Sequence, residues 1–413
     1  MTKITTHTLE CGAVLIAEVL PAARSAAVAW HVPCGITAEP ADRLGLTGVV
    51  CEMLMRGAGD RDARAQADAF DAVGATRDIA AGLRGTQIAS ITTGDRLPDL
   101  LPLLAETVRR PRLNNETFVP SRELSLQALE SLGDDPRERA SIAARAAFFP
   151  EPYNRSSYGT REGLTAATAD DAAALWAGRA LPGSSIIAVA GAVDADAIRD
   201  RLDGLLEGWA GSAERIEPAG GVRAAAGHIE DDSSQVQIIA LRDAPTELDQ
   251  QAAVREKIAA SVLSGGMSGR LFTEVREKRG LCYAVAAAYR GDDLFGRLSA
   301  YVGTTPERAQ ESLDVLLAEL DRIRTPAGAV TADEIDRAII GLKSSVVFHG
   351  ESTQARAASL VSDVIKLGRA RTLDEISAAY DAVSLDDLNS YLVGSAAGAQ
   401  TIQTLGPTAL ATP

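Results

Sequence analysis

Histidine is scarce in this chain. Its 413 residues include four, His7, His31, His228 and His349, and no two are close enough in sequence to form a recognisable metal-binding pair. Cysteine is equally sparse. Cys11, Cys34, Cys51 and Cys282 show neither a C-x-x-C pair nor an even framework spacing, so free thiols in a reducing compartment are expected. Aromatic residues make up only 4%, which argues against a base-stacking or carbohydrate platform. Positive charge is in deficit: 41 Lys and Arg against 56 Asp and Glu leave a net charge of -15. Such a chain repels phosphates rather than coating nucleic acid. No run approaches the ~18 uncharged apolar residues of a membrane span, and Met1 to Gly12 contain no apolar signal core. The expected location is the cytoplasm; a periplasmic protein with its signal removed reads the same way. Neither nucleic acid nor a membrane is an expected partner.

What is present is apolar material for packed cores, 46% of the chain, and more length than one core usually serves. The stretch from Gly208-Trp209-Ala210-Gly211 to Pro218-Ala219-Gly220-Gly221 is rich in small residues, Gly and Pro. It suggests a linker over 211–221 between domains of residues 1–210 and 222–413. The halves read alike. The first opens with strand runs at Ala13–Val19 and Ser25–Val32, followed by helical periodicity from Leu44 to Arg56. The second opens with a strand at Gln235–Leu241 and a helix from about Leu248 to Leu263. Long helices such as Leu97–Arg109 and Ser121–Leu132 follow without strict strand–helix alternation. The expected fold class is α+β: a duplicated unit, each a sheet with helices packed on it.

Two stretches are candidates for chemistry. In Leu44-Gly45-Leu46-Thr47-Gly48-Val49-Val50-Cys51-Glu52-Met53-Leu54, the residues Leu46, Val49, Val50, Met53 and Leu54 form a core face. Gly48, Cys51 and Glu52 share another face. Those three are a residue without a side chain, a thiol and a carboxylate, with the last two about 100° apart around the axis, a poor chelating pair. On chemistry alone this is an amphipathic helix.

The second stretch is Ser264-Gly265-Gly266-Met267-Ser268-Gly269-Arg270-Leu271-Phe272-Thr273-Glu274-Val275-Arg276-Glu277-Lys278-Arg279-Gly280-Leu281-Cys282-Tyr283-Ala284-Val285. It predicts a glycine loop, a helix from about Arg270 to Arg279, a C′ glycine at Gly280, and a strand alternating through Leu281, Tyr283 and Val285. It is not a P-loop, since the G-x-x-x-x-G-K-[ST] pattern is missing. A flexible loop beside a cation and a phenol suits an anionic or peptide group. The plainer reading is that Arg276, Lys278 and Arg279 complement a helix dipole while Tyr283 packs half-buried in its strand.

Taken together these stretches resemble the pitrilysin/insulinase family of inverted zinc metallopeptidases, especially the processing peptidases built from two homologous subunits. The resemblance runs over essentially the whole chain. The first helix is similar to the family's Gly-Leu-Ala-His-x-x-Glu-His-Met-Leu-x-x-Gly zinc helix. Ser264 to Val285 is similar to its Gly-Gly-Gly-Met-Ser-Ser-Arg-Leu-Phe-x-Glu-x-Arg-Glu-Lys-x-Gly-Leu-x-Tyr pattern, the most specific match. Asp134-Asp135-Pro136, Tyr158-Gly159-Thr160 and the run Ile187 to Asp194 add to it.

The resemblance implies that Gly48 stands at the first zinc His, Cys51 at the general base and Glu52 at the second His. Ala128, or Gln127 one register away, stands at the third ligand. Every catalytic position is replaced, so no metal or other cofactor is expected on this chain. Arg276 and Tyr283 are retained; in the resembling enzymes their counterparts reach across to the zinc site, bind substrate backbone and stabilise charge at the scissile carbonyl. Gly265, Gly266, Met267, Ser268 and Gly269 are similar to the substrate-contacting loop of non-catalytic subunits. The edge-strand peptide site of the family falls at Gly74 to Ile79, without the usual Asn-Ala pair. The implied function is a non-catalytic subunit that binds peptide, supplying Arg276 and Tyr283 to a homologous partner that carries the zinc. The alternative is a catalytically dead homodimeric scaffold or core-like assembly subunit. A third reading takes Cys51 as a nucleophile, although no His lies near it in sequence.

Overall fold

The structure, a computed structural model, describes residues 3–395 and 398–413. Its first half begins with strands β1 (Lys3–Thr8), β2 (Val14–Val19) and β3 (Ser25–Val32), then helices α1 (Leu46–Leu54) and α2 (Ala63–Ala72). Strands β4 (Thr76–Ala81) and β5 (Thr86–Thr93) follow, then α3 (Leu97–Arg109), α4 (Asn115–Ser131) and α5 (Pro136–Phe148). Helices α6 (Arg161–Ala166) and α7 (Ala169–Arg179), strand β6 (Ile186–Gly191) and helix α8 (Ala195–Leu205) complete it.

The second half repeats the plan. It runs β7 (Ala225–Glu230), β8 (Val236–Ala244), α9 (Gln250–Ser264), a π-helical turn Phe272–Glu277, β9 (Cys282–Gly291) and β10 (Gly296–Thr304). Helices α10 (Ala309–Arg322), α11 (Ala332–Glu351), α12 (Thr353–Leu367), α13 (Leu373–Asp381) and α14 (Leu385–Gly394) precede β11 (Gln400–Gly406).

Strand order reveals the duplication directly. The first sheet is β1-β2-β6-β3-β5-β4 and the second β7-β11-β8-β10-β9. With β1 set aside, the orders superimpose position by position, and each sheet has one parallel pair, β2 with β6 and β7 with β11. Both sheets carry helices, so the α+β class and the two similar units read from sequence are those of the structure. The expected bounds of β3 and α3 match. Helix α4 starts at Asn115, earlier than expected, because Asn114 and Thr117 form a capping box and Pro120 is accommodated inside the helix.

The two units exchange a helix. Ala140, Ala144 and Phe148 of α5 are buried with Ile239, Leu241 and Leu405 of the second sheet. In return Ala357, Leu360 and Val361 of α12 are buried with Ile16, Ala27, Ala29 and Ala188 of the first. Alanines on one side of each contact, Ala140 and Ala144 of α5 and Ala27, Ala29 and Ala188 of the first sheet, let each helix lie close to the sheet it covers. Each sheet therefore buries one face under a helix from the other unit.

The connection between α8 and β7 has no helix or strand. It is tied back to the first half, with Gly183 N donating to Gly211 O at 2.9 Å and Ala219 N to Glu151 O at 2.7 Å. No helix among the described residues is long and apolar enough to cross a membrane.

Candidate functional site

Helix α1 presents the face expected of it. Leu46, Val49, Val50, Met53 and Leu54 are buried in the first core. Its start is fixed by a group the sequence reading missed: the buried Glu39 carboxylate accepts from Gly45 N at 2.9 Å and Thr47 N at 2.7 Å. Two orphan N–H groups of the helix start are thereby satisfied. Burial pushes this carboxyl up from its ordinary value, opposed by those same donors.

Gly48 and Glu52 lie half-buried on the open side of α1, where a side chain added at Gly48 meets only Ser157 O at 3.8 Å. Cys51 turns inward and is 5% exposed. Its Sγ lies 3.7 Å from Thr86 Oγ1, which itself donates to Cys34 O at 2.8 Å. Burial, reinforced by Glu52, Glu39 and Asp78, pushes the thiol up to about 12 against the weaker pull of Thr86. A buried, protonated thiol is no nucleophile at neutral pH, and that reading of Cys51 is withdrawn.

Gln127 and Ala128 are both exposed on α4, which packs on α1. Among the described residues no three His, Cys, Asp or Glu side chains converge as a metal-binding group. One glycine, one buried thiol and one carboxylate do not fit zinc, which needs at least three imidazole, thiolate or carboxylate ligands converging in a tetrahedron.

The second stretch departs from expectation in two places, and both expose a side chain. The helix predicted from Arg270 to Arg279 is a π-helical turn, Phe272–Glu277, marked by Lys278 N donating to Thr273 O at 2.9 Å. Such wide turns occur mostly as local insertions in helices, frequently at functional sites. The strand predicted to alternate through Leu281, Tyr283 and Val285 contains a β-bulge. Gly303 pairs with Ala284 and Thr304 with Cys282, leaving Tyr283 as the extra residue. Leu281 and Cys282 are consequently both buried while Tyr283 is 62% exposed, so the half-buried packing expected of Tyr283 is overturned.

The three basic residues of this turn also separate. Lys278 and Arg279 bind Glu274 at 2.7 and 2.8 Å, and hold its carboxyl below the ordinary range. Arg276 has no carboxylate partner among the described residues; its guanidinium lies exposed over the Phe272 ring at 5.0 Å. Dipole complementation accounts for Lys278 and Arg279 but leaves Arg276 free. Gly280, with φ +61°, turns the chain into β9 as expected. The structure thus places Arg276 and Tyr283 on solvent-facing irregularities either side of one glycine, with no hydrogen bond between them among the described residues.

The loop Gly265 to Gly269 leads from α9 into this turn. Gly265, Gly266, Met267 and Ser268 are exposed, Met267 at 77%. Gly266 has φ +115°, and a Cβ on Gly269 would sit 2.9 Å from Leu263 O, so both positions need glycine. The loop is anchored by Arg270, another residue the sequence reading passed over. Its fork binds both oxygens of Glu334 at 2.7 Å and donates to Gly328 O at 2.7 Å. Burial works against the Glu334 carboxylate, yet Arg270 and Thr331 hold it down at about 2.

The two units offer equivalent free edges. β4, containing most of the Gly74 to Ile79 stretch, ends the first sheet, and β9, with Tyr283, ends the second. An edge strand presents unpaired N–H and C=O groups to which an extended peptide can add.

Residues 168–342 match the family described as the peptidase M16 inactive domain. That match covers less than half of the chain and marks a likeness to the peptidase M16 family. The description fits a non-catalytic member of that pitrilysin-like group. An uncharacterized zinc protease of Streptomyces coelicolor is 26% identical over 410 residues, covering 97% of this chain and 89% of the relative. One of Bacillus subtilis is 24% identical, covering 93% of each chain. In fold, a peptidase M16 inactive domain from Pseudomonas fluorescens superimposes with a TM-score of 0.87 at 20% identity, over 100% of this chain and 99% of that one. The periplasmic protease PqqL of Escherichia coli matches with a TM-score of 0.82 at 14% identity, over 99% of this chain but 46% of its own.

Proposed function

We propose that this chain is the non-catalytic, substrate-binding subunit of a heterodimeric zinc processing peptidase. Arg276 and Tyr283 enter the active site of a homologous partner that carries the zinc. The observation that carries this reading is the pair of backbone irregularities: a π-turn that frees Arg276 and a bulge that exposes Tyr283, beside an open sheet edge. A fold serving only packing has no use for a solvent-facing guanidinium and phenol held on two local irregularities. A guanidinium and a phenol can donate hydrogen bonds to a peptide carbonyl, and more strongly to the oxyanion that develops on it, once a partner closes water out. The glycine loop, its tip exposed and its base fixed by Arg270, lies next along the chain as a flexible peptide contact. In fold alone, the E. coli protease has length beyond the match for a second unit of this size. The proposal assembles the equivalent from two chains.

The test is to purify the chain alone, assay bound zinc and quenched-peptide hydrolysis, and then add a co-expressed His-x-x-Glu-His homologue. Hydrolysis is expected only in the mixture, and Arg276→Ala or Tyr283→Phe in this chain should collapse it. Activity indifferent to both substitutions would reduce the chain to a homodimeric scaffold or core-like assembly subunit. Stoichiometric zinc on the isolated chain would overturn the reading of its own site.

A further inference from the structure

We propose that a cavity between the first sheet and the segment joining the two units binds a small oxyanion, a phosphate or a short dicarboxylate. The cavity has a volume of about 180 Å³, room for roughly six waters at ~30 Å³ each. His31, Arg84, Tyr153, Arg179 and Arg215 all contribute to its wall. They come from β3, the β4–β5 turn, the chain after α5, the end of α7 and the joining segment, so folding alone assembles the group.

The Tyr153 hydroxyl is already given to Ile216 O at 2.7 Å, but the guanidinium donors are only partly used. Arg179 uses its Nε on Pro33 O at 3.2 Å and has no carboxylate partner among the described residues. Arg84 and Arg215 share one carboxylate, Asp293, through their Nη1 atoms at 2.6 and 2.7 Å, and Arg215 also meets Glu217 at 3.0 Å. Each guanidinium has five N–H donors in a fixed fork, so most remain available to an anion. Glu214, exposed at the rim, pairs with none of the three.

His31 closes the inner wall and is 6% exposed. Gln87 Nε2 lies 2.6 Å from its Nδ1, so Nδ1 accepts and the proton of the neutral ring belongs on Nε2. Nε2 has no hydrogen-bond partner among the described residues, and its N–H is a further donor for an oxyanion. Burial and then the neighbouring Arg84 keep the ring neutral. None of these groups belongs to the Arg276–Tyr283 face, and this site stands or falls independently of the partner proposed above.

Four histidines make the test direct. The full chain is labelled at histidine Cε1, the His31 signal is assigned with His31→Gln, and phosphate or malonate is titrated at constant pH and ionic strength against chloride. The expected result is a saturable shift confined to the His31 signal, weakened about tenfold or more by Arg179→Gln. Asp293→Asn, which releases two guanidiniums, should tighten binding. Response to phosphate alone identifies a tetrahedral anion, and to malonate alone a carboxylate. No saturable shift with either, or an affinity unchanged in Arg179→Gln, overturns the proposal.

Discussion

Glu18 and Arg356, 338 residues apart in the chain, meet as an ion pair with 0% and 1% of their side chains exposed. Glu18 sits on β2 of the first sheet and Arg356 on α12, the helix that the second unit lends to it. The guanidinium also donates to Arg371 O, so the pair fixes both the seating of α12 and the chain that follows it. The helix exchange is thus pinned at its centre by a charge pair inside an apolar cluster.

Removing one partner strands the other charge out of water, whereas removing both leaves apolar space. Glu18→Leu or Arg356→Met should each cost about 3–5 kcal/mol, while the two changes together should cost clearly less than the sum of the two. Urea unfolding followed by circular dichroism reads this out. Additive losses would show that the two residues act separately.

Arg276→Ala and Tyr283→Phe should leave the isolated chain's unfolding midpoint nearly unchanged, within about 0.5 kcal/mol. Neither side chain fills a core, and among the described residues Arg276 binds no carboxylate. A loss of 2 kcal/mol or more by this order-of-magnitude rule would mean that the pair holds the π-turn and bulge together. Their persistence would then be structural.

His31 gives the chain an acid sensitivity. Burial and Arg84 lower its pKa from 6.5 to about 4 in the folded protein. Between those values the unfolded chain binds a proton that the folded chain refuses, so stability falls as pH drops through that window. The contribution is full above pH 6.5 and, for a shift of that size, is of order 3 kcal/mol. Chemical denaturation at pH 7.5, 6, 5 and 4 should show the loss in the native protein and a flatter curve in His31→Gln.

What was legible in the sequence follows from what leaves a periodic trace. The apolar run Ser25 to Val32 is a buried central strand, and Leu97 to Arg109 alternates at helical spacing, so both appear with the bounds expected. The bulge at Tyr283 was hidden, since one extra residue in a strand changes no composition and only shifts register, which depends on β10 across the sheet. The π-turn at Arg276 differs from an α-turn by a single hydrogen-bond step. The helix exchange was invisible for another reason: the apolar faces of α5 and α12 show that something covers them, not which sheet does. Glu39 and Arg270 were missed because their partners, an N-terminal turn and a distant Glu334, are fixed only by tertiary structure.

The four thiols supply the last prediction. Cys34, Cys51 and Cys282 are buried and Cys11 is half-buried, and all four are free. At pH 8 burial keeps Cys51 protonated, since its pKa of about 12 lies far above the solution value. Cys34 is pushed still higher, also by burial with Cys51 adding to it. Iodoacetamide at pH 8 should therefore modify Cys11 first and slowly, because burial raises that thiol too, and should reach Cys34 and Cys51 only in denaturant. Peptide mass mapping distinguishes the sites. The same shift predicts alkaline weakness: above the ordinary thiol value of 9.0 the unfolded chain ionises Cys51 while the folded chain does not, so stability is lost from pH 9 toward 12. Cys51→Ala should remove part of that slope, at the cost of a small cavity. Rapid labelling of native Cys51 at pH 8 would restore it as a reactive thiol and reopen the chemistry of the first half.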